Sequence, residues 1–381
     1  MRENGNFVLA WKSPRGLILF KRFSSSGKVL ARKVKVAVSK DPDKSSIPPT
    51  LPHTLLRGSP PSVATDRSGN ILVAWVTSSP ERAIKARLFD SSGTPLGNEL
   101  QISSTAEITV SFDIAMADDG RFVAIWYGMP KQSGSATPSV AQMTAGLRFR
   151  RYSNSGSAET EPLPIADVAT TNPIVTLSND GSVLAAWKSD QLRIKCFDSS
   201  GLPLGATIDL TANTVKYPLL RASLAVGQNS DGGFDVAWNQ TKGSYATPKG
   251  GDTGYAELMT RRFRSGCEPE GNATMVTETT GYLDGLAELT VFPANGGAQF
   301  LTWTFADYLG TEDVDRGERY RQKAAYRWSD GTTRDLRIPA RVRFNRSVSG
   351  NRLGAYVISG QSDDPASEYA PIYVAARLTL P

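Results

Sequence analysis

Residues 180–205 read DGSVLAAWKSDQLRIKCFDSSGLPLG, and residues 69–97 read GNILVAWVTSSPERAIKARLFDSSGTPLG. Each stretch contains a glycine, an apolar run that ends in tryptophan, a second run with a basic residue and an aromatic, and a second glycine turn. Short apolar runs between tight turns predict β-strands. A pattern that occurs twice at this spacing indicates a repeat that extends further along the chain.

The glycine and the aromatic recur seven times, always six residues apart, and consecutive aromatics are 51 to 65 residues apart. The aromatic positions are Trp11, Trp75, Trp126, Trp187, Trp238, Trp303 and Tyr356. Each copy contains up to four predicted strands, and tandem four-stranded units are typical of β-propeller blades. We therefore predict an all-β fold, a seven-bladed β-propeller of four-stranded antiparallel blades that forms a single domain over residues 1–381. We expect the repeat aromatics to pack between neighbouring blades.

The two terminal copies are predicted to be incomplete. Met1 aligns with Met116, which ends the first strand of the third copy, so the given sequence starts as that strand should be finishing. The last copy stops at Pro381, after its third strand. One additional N-terminal segment would supply both missing strands, and we expect the chain to be an N-terminally truncated propeller; the alternative is a naturally open or three-stranded closure.

Composition excludes several classes of protein. Apolar residues are 40% of the 381, and no apolar run approaches the ~18 residues of a membrane helix, so we expect no membrane span. Lys and Arg exceed Asp and Glu by 43 to 37 without a dense basic block, which argues against nucleic-acid binding. The only histidine is His53, and the two cysteines, Cys196 and Cys267, fall at different repeat positions. We therefore expect free thiols and no zinc site.

Long connections gather at one end of the predicted blades. They join the second and third strands of the third, fifth and sixth copies, the fifth being residues 239–257. Loops longer than ~12–15 residues in compact domains are often functional, although one face of a fold can also simply tolerate insertions. We predict a ligand-binding surface on this loop-rich face. Its candidate residues are Tyr127, Tyr217, Arg221, Tyr245, Tyr255, Tyr282, Glu288, Tyr308 and Arg341.

The sequence contains no catalytic motif, which favours a non-enzymatic recognition module for a glycan or a protein surface. Two alternatives stay open: a structural domain of a larger surface protein, and a propeller hydrolase that uses Glu288 with Asp284. No cofactor or metal is predicted. The acidic run 312–318 is the one candidate for calcium, although it matches a calcium loop incompletely and a solvated loop is the simpler interpretation. The sequence leaves the oligomeric state open.

Asp235 breaks the apolar pattern. It lies three residues before Trp238, where other copies have Leu, Val or Phe. A carboxylate inside a blade wall is costly unless it is paired, so we expect a partner such as Arg261 or Arg262 and a structural role.

The unit DG-x-F-V-x-x-W followed by R-F-D-x-x-G, quoted above in residues 69–97 and 180–205, resembles repeats of large bacterial secreted and cell-surface proteins. The resemblance implies an extracellular or cell-surface propeller without a catalytic motif. It is sharpest in the second and fourth copies.

Overall fold

The computed structural model describes fourteen segments of the chain. They are residues 6–13, 15–39, 60–77, 82–130, 146–167, 170–211, 223–229, 231–246, 252–282, 287–293, 297–307, 319–336, 344–350 and 356–361. The chain divides into two compact units, Met1–Ser189 with Phe197–Pro203, and Asp190–Cys196 with Leu204–Pro381. The prediction of a single domain stays a prediction.

The first unit contains the strands that precede the boundary near residue 190. They are β1 (Phe7–Lys12), β2 (Leu17–Phe23), β3 (Val34–Val38), β4 (Ser62–Thr65), β5 (Ile71–Val76), β6 (Ile84–Phe89), β7 (Leu100–Gln101), β8 (Glu107–Met116), β9 (Phe122–Pro130), β10 (Gly146–Tyr152), β11 (Leu163–Ala166), β12 (Thr171–Leu177) and β13 (Val183–Lys188).

The later strands begin with β14, whose last residue belongs to the first unit. They are β14 (Leu192–Phe197), β15 (Ile208–Asp209), β16 (Leu224–Gln228), β17 (Phe234–Ala246), β18 (Asp252–Phe263), β19 (Pro269–Tyr282), β20 (Ala287–Pro293), β21 (Gln299–Asp307), β22 (Arg319–Arg327), β23 (Thr333–Leu336), β24 (Phe344–Gly350) and β25 (Tyr356–Gln361).

The strands form antiparallel sheets in which neighbours are consecutive in the chain. Within the described segments there are five four-stranded sheets, a three-stranded sheet β1-β2-β3 and a two-stranded sheet β24-β25. The predicted all-β fold of four-stranded antiparallel units is thereby confirmed. No helix of the described segments is long and apolar enough to cross a membrane.

In the second to fifth repeats the aromatic lies on the strand that follows the repeat's glycine turn. Trp75 packs against the sheet before its own, in a core with Phe20 and Val36. Trp126 does the same against Leu72 and neighbouring residues of the second sheet. Trp187 and Trp303 occupy equivalent places further along, and all four indoles are at most 2% exposed. The prediction that these aromatics are core residues between sheets is confirmed.

The connection predicted for the fifth repeat is mostly strand. The strands β17 and β18 are 13 and 12 residues long, whereas β5 and β6 have six each, so only residues 247–251 separate them. The outer strand β19 runs alongside for 14 residues. Thr, Ser and Tyr are frequent in this segment, and these residues suit a pleated ribbon as well as they suit a loop. The expectation of a long loop over 239–257 is therefore wrong.

The two cysteines are bonded to each other. A disulfide joins Cys196 on β14 to Cys267 in the turn after β18, with their Cα atoms 5.5 Å apart. Cys267 has φ 62°, and its N–H donates to the Arg264 carbonyl as the N–H of Gly201 does to Asp198 in the preceding repeat. Cys267 therefore occupies the turn position that glycine holds in the preceding repeat. The sequence pattern places Gly266 at that position instead, so the position of Cys267 is shifted by one residue. The expectation of free thiols is wrong.

Candidate functional site

Most of the residues predicted for the loop-rich face have no side chain among those that the structure describes. Tyr217, Arg221, Tyr308 and Arg341, together with Asp284 and the acidic run 312–318, lie outside the described residues. Tyr245, Tyr255, Tyr282 and Glu288 lie on β17, β18, β19 and β20, where the backbone alone is described.

The backbone pairing brings three of these tyrosine positions onto one ribbon. Tyr245 pairs with Thr253, and Thr253 pairs with Tyr282 on its other side. Tyr255 follows Thr253 by two residues on β18. Three tyrosine positions of the predicted surface are therefore close along the extended part of the fifth repeat, which the long-loop prediction had left unordered.

Tyr127 lies in the core instead of on the surface. It is 7% exposed and belongs to the same apolar cluster as Met129 and Trp187. Burial raises the pKa of its phenol. A ring in this position packs between two sheets, so it does not present a face to a ligand.

Asp113 occupies a place where the first strands of three sheets meet. It is half-buried on β8. Its Oδ1 accepts a hydrogen bond of 3.4 Å from Ser62 Oγ on β4, and its Oδ2 accepts one of 3.2 Å from the Val175 N–H on β12. No basic side chain appears among the groups that shift its titration, and desolvation raises the pKa of Asp113 to about 6. The carboxyl can therefore take up and release a proton near neutral pH.

A second polar group lies two residues away on the same strand. Ser111 Oγ is buried and has no hydrogen-bond partner among the described residues. A buried hydroxyl without a partner is uncommon in folded proteins and marks a place that needs an explanation. Both residues lie on β8, an edge strand of its sheet, which β9 and β10 separate from the other edge strand, β11.

Sequence reasoning missed Asp113, although the signal was present. Asp113 lies four residues before Ala117, whose N–H begins the turn to β9. The same position is Ser62 in the second repeat and Ile174 in the fourth. An acid appears there once, in the third repeat, and comparison of first strands instead of tryptophan strands would have found it.

The start of β8 holds a different carboxylate, which is fully engaged. Glu107 accepts hydrogen bonds from Trp126 Nε1 at 3.1 Å and from an Arg148 guanidinium nitrogen at 2.8 Å. A Cβ on Gly128 would lie 2.7 Å from Glu107 Oε2, so the glycine makes room for this side chain. These contacts link β8, β9 and β10 through one charge-assisted group.

Asp235 has the partner that its position requires. It is 1% exposed, pairs in register with Arg262, and its Oδ1 lies 3.9 Å from Arg262 Nε. Gln299 and Asn229 also hydrogen-bond to it. Burial outweighs these contacts and raises its pKa to about 6. The prediction of an Arg262 partner within a blade wall is confirmed.

The lysine at the end of β13 has no acidic partner among the described residues. Lys188 is half-buried, and desolvation alone lowers its pKa to about 8. Some basic residues of the first unit do have such partners, for example Lys85 with Glu99 at 3.3 Å. Within the described segments no group of three potential metal ligands occurs, and calcium at 312–318 stays a prediction.

No family model and no curated protein matches this sequence. Among solved structures, a polysaccharide lyase of family PL25, an ulvan lyase, is similar at 9% identity over 79% of this chain and 77% of its own, with a TM-score of 0.48. A glycosyl hydrolase from Bacteroides ovatus is similar at 10% identity over 74% and 89%, with a TM-score of 0.35. A xylan β-1,4-xylosidase from Bacillus halodurans C-125 is similar at 13% identity over 72% of this chain and 54% of its own, with a TM-score of 0.36.

These comparisons correct the prediction of a non-enzymatic recognition module. All three proteins are named as enzymes that act on glycans. The absence of a known catalytic motif was the reason for predicting no enzyme, and motifs of that kind describe only the families from which they were drawn. The non-enzymatic prediction is not retained.

Proposed function

We propose that this protein is a seven-bladed β-propeller enzyme that cleaves a glycan. One antiparallel sheet for each of the seven repeats supports the blade count. In a propeller the first strand of every blade lines the central channel, which is the position of β4, β8 and β12. Asp113 and Ser111 then belong to the channel wall.

The placement of Asp113 carries this proposal. Its carboxyl lies on a first strand, bonded to two neighbouring first strands but to no described cation. A carboxylic acid whose pKa is raised towards neutrality can donate a proton to a glycosidic oxygen. We propose that Asp113 donates this proton as the bond from the anomeric carbon to the leaving oxygen breaks, and that water adds to the anomeric carbon and loses a proton to solvent.

The other candidates from the sequence enter the proposal separately. Glu288 lies on the first strand β20, and Glu288 with Asp284 stays a proposed source of a catalytic carboxylate. The positions Tyr245, Tyr255 and Tyr282 are proposed to contact sugar rings, since tyrosine combines an apolar face with a polar tip. Glu288→Gln is expected to lower glycan cleavage without a loss of folded protein.

We also propose that the protein works outside the cell or at the cell surface, as the repeat resemblance implies. The disulfide Cys196–Cys267 supports this location, because disulfides persist in oxidising compartments and are rare in the cytosol.

The decisive experiment compares two acids that share a raised pKa but differ in position. The purified protein is incubated with a panel of neutral and acidic polysaccharides, and new reducing ends are counted. Asp113→Asn is expected to lower cleavage by roughly 10²–10⁴-fold. The matched control Asp235→Asn, in a blade wall, should retain cleavage. Circular dichroism checks that both variants fold.

Two results would refute the proposal. One is that no glycan of the panel is cleaved by the unsubstituted protein. The other is that folded Asp113→Asn cleaves as fast as the control.

A further inference from the structure

The residue that precedes the last aromatic of the third strand occupies an equivalent place in each of the first four repeats. Its carbonyl accepts a hydrogen bond of 2.9 or 3.0 Å from the backbone N–H eight positions further along, beyond the turn. The four residues are Arg22, Leu88, Arg151 and Cys196. Cys196 therefore stands where the first and third repeats have an arginine.

Both of these arginines contact turns of the repeat that follows. A guanidinium nitrogen of Arg22 donates to a backbone carbonyl in a turn of the second repeat, and a Cβ on Gly93 of that turn would lie 3.8 Å from Arg22 Nε. Arg151 is 4% exposed and donates to the Gly181 carbonyl of the fourth repeat at 2.7 Å. A Cβ on Gly201, in the second turn of that repeat, would lie 3.9 Å from Arg151 Cδ. An arginine at this position thus links one repeat to the next.

Cys196 makes the corresponding contact as a covalent bond. Gly93, Gly201 and Cys267 hold the same turn position, because the N–H of each donates to the carbonyl three residues before it. The disulfide joins Cys196 to Cys267 in the fifth repeat, and both side chains are buried. Between the fourth and fifth repeats, a bond that depends on oxidation therefore takes the place of an arginine contact that does not.

We propose that the Cys196–Cys267 disulfide is a redox-sensitive latch, which fastens the fourth repeat to the fifth in an oxidising compartment and releases them in a reducing one. For release, a dithiol supplies two electrons and two protons. The S–S bond breaks, two cysteine thiols form, and the dithiol becomes a disulfide. The latch acts on the fold and is independent of the proposed glycan cleavage.

The reduced junction has no substitute for the lost bond. A thiol is a weak hydrogen-bond donor on a short side chain, so it does not make the contacts of an arginine. Cys267 also keeps its φ of 62°, a conformation that glycine adopts without strain and other residues do not. The chain therefore reaches its full stability only after it leaves a reducing compartment.

Urea unfolding with and without dithiothreitol tests the latch. The unsubstituted protein, refolded in dithiothreitol, should unfold at a urea midpoint about 1 M or more below that of the oxidised protein. Cys196→Arg with Cys267→Gly recreates the arginine and glycine of the junction between the third and fourth repeats. Its matched control, Cys196→Ser with Cys267→Gly, also lacks both cysteines but has no arginine.

Neither double variant should respond to dithiothreitol, and the arginine variant should unfold at the higher midpoint of the two. Equal midpoints for the oxidised and reduced unsubstituted protein would overturn the proposal, and so would equal midpoints for the two double variants.

The converse exchange tests the same equivalence without depending on the arginine variant. Arg22→Cys with Gly93→Cys places two cysteines at the corresponding positions of the first and second repeats, and we expect them to form a second disulfide on oxidation. Arg22→Cys with Gly97→Cys is the control, because a Cβ on Gly97 would have no atom within 4 Å. Thiol titration of the denatured proteins should find free thiols in the control alone. Free thiols in both variants would overturn the proposal.

Discussion

Asp235 shows how a single carboxyl can be held in a wall of apolar side chains. The residues that follow it on β17, Val236 and Ala237, are fully buried. Arg262 lies near its carboxylate, and the side-chain amides of Asn229 and Gln299 hydrogen-bond to it. Because these contacts do not fully replace water, the folded protein binds the proton more tightly than the unfolded chain does. The carboxyl therefore contributes stability at low pH that is lost as pH rises through about 6.

Asp235→Asn is expected to remove this dependence on pH. Relative to the unsubstituted protein, the variant should gain stability between pH 4 and pH 7, by up to about 3 kcal/mol for a shift of about two pH units. Thermal melts across this range measure the difference. Asp231→Asn is the control, since Asp231 also contacts Arg262 at 3.5 Å but is exposed. A constant difference between Asp235→Asn and the unsubstituted protein would contradict this account.

Cys267 combines a cross-link with a backbone conformation that favours glycine. Its disulfide partner is 71 residues away, and closing a loop of that length stabilises a fold by about 4 kcal/mol in the chain-entropy model. Cys267→Ser should lose this amount and keep the strained backbone. Cys267→Gly should lose about 1 kcal/mol less, because glycine adopts positive φ freely. Urea unfolding measures both, and equal stability of Cys267→Ser and the unsubstituted protein would exclude the disulfide.

Between elements, the repeat tryptophans make the same packing contact with different polar surroundings. Trp126 donates its indole N–H to Glu107, whereas Trp187 Nε1 has no partner among the described residues. Both rings lie between two sheets. The apolar contact belongs to the repeat, whereas the polar partner differs between copies: Trp238 donates its indole N–H to Gln240 Oε1 at 3.2 Å.

Replacing each of these tryptophans by phenylalanine separates the two contributions. Trp126→Phe should cost about 1.5–3 kcal/mol more than Trp187→Phe, because it also removes a hydrogen bond to a charged group. Denaturant unfolding of the two variants measures the difference. Similar losses for both would mean that the bond to Glu107 contributes nothing to stability.

For the molecule as a whole, the sequence repeat predicted the features that recur in each copy, namely the antiparallel sheets and the buried tryptophans. The repeat placed Trp75, Trp126 and Trp187 between sheets, because one local pattern forms one local sheet each time. The disulfide was missed because it joins the third strand of one repeat to a turn of the next. A contact between two repeats cannot be predicted from the spacing of residues within one repeat.

The candidate site was less predictable than the fold. Asp113 is one acid in one strand, and its significance depends on Ser62 and Val175, which belong to other repeats. Tyr127 was chosen for its residue type and lies in the core, since type alone does not show which face of a strand is buried. Asp235 was predicted well because it broke a row that the repeat itself defined.

The pH dependence of kcat/KM on the cleaved glycan tests the role of Asp113 most directly. If Asp113 is the proton donor, its protonated form is the active one, and its pKa lies at about 6. We predict that kcat/KM falls about tenfold per pH unit above that value, and that Asp113→Asn has low activity without this falling limb. A value of kcat/KM that rises through pH 6, or an Asp113→Asn profile equal to that of the unsubstituted protein, would contradict the account.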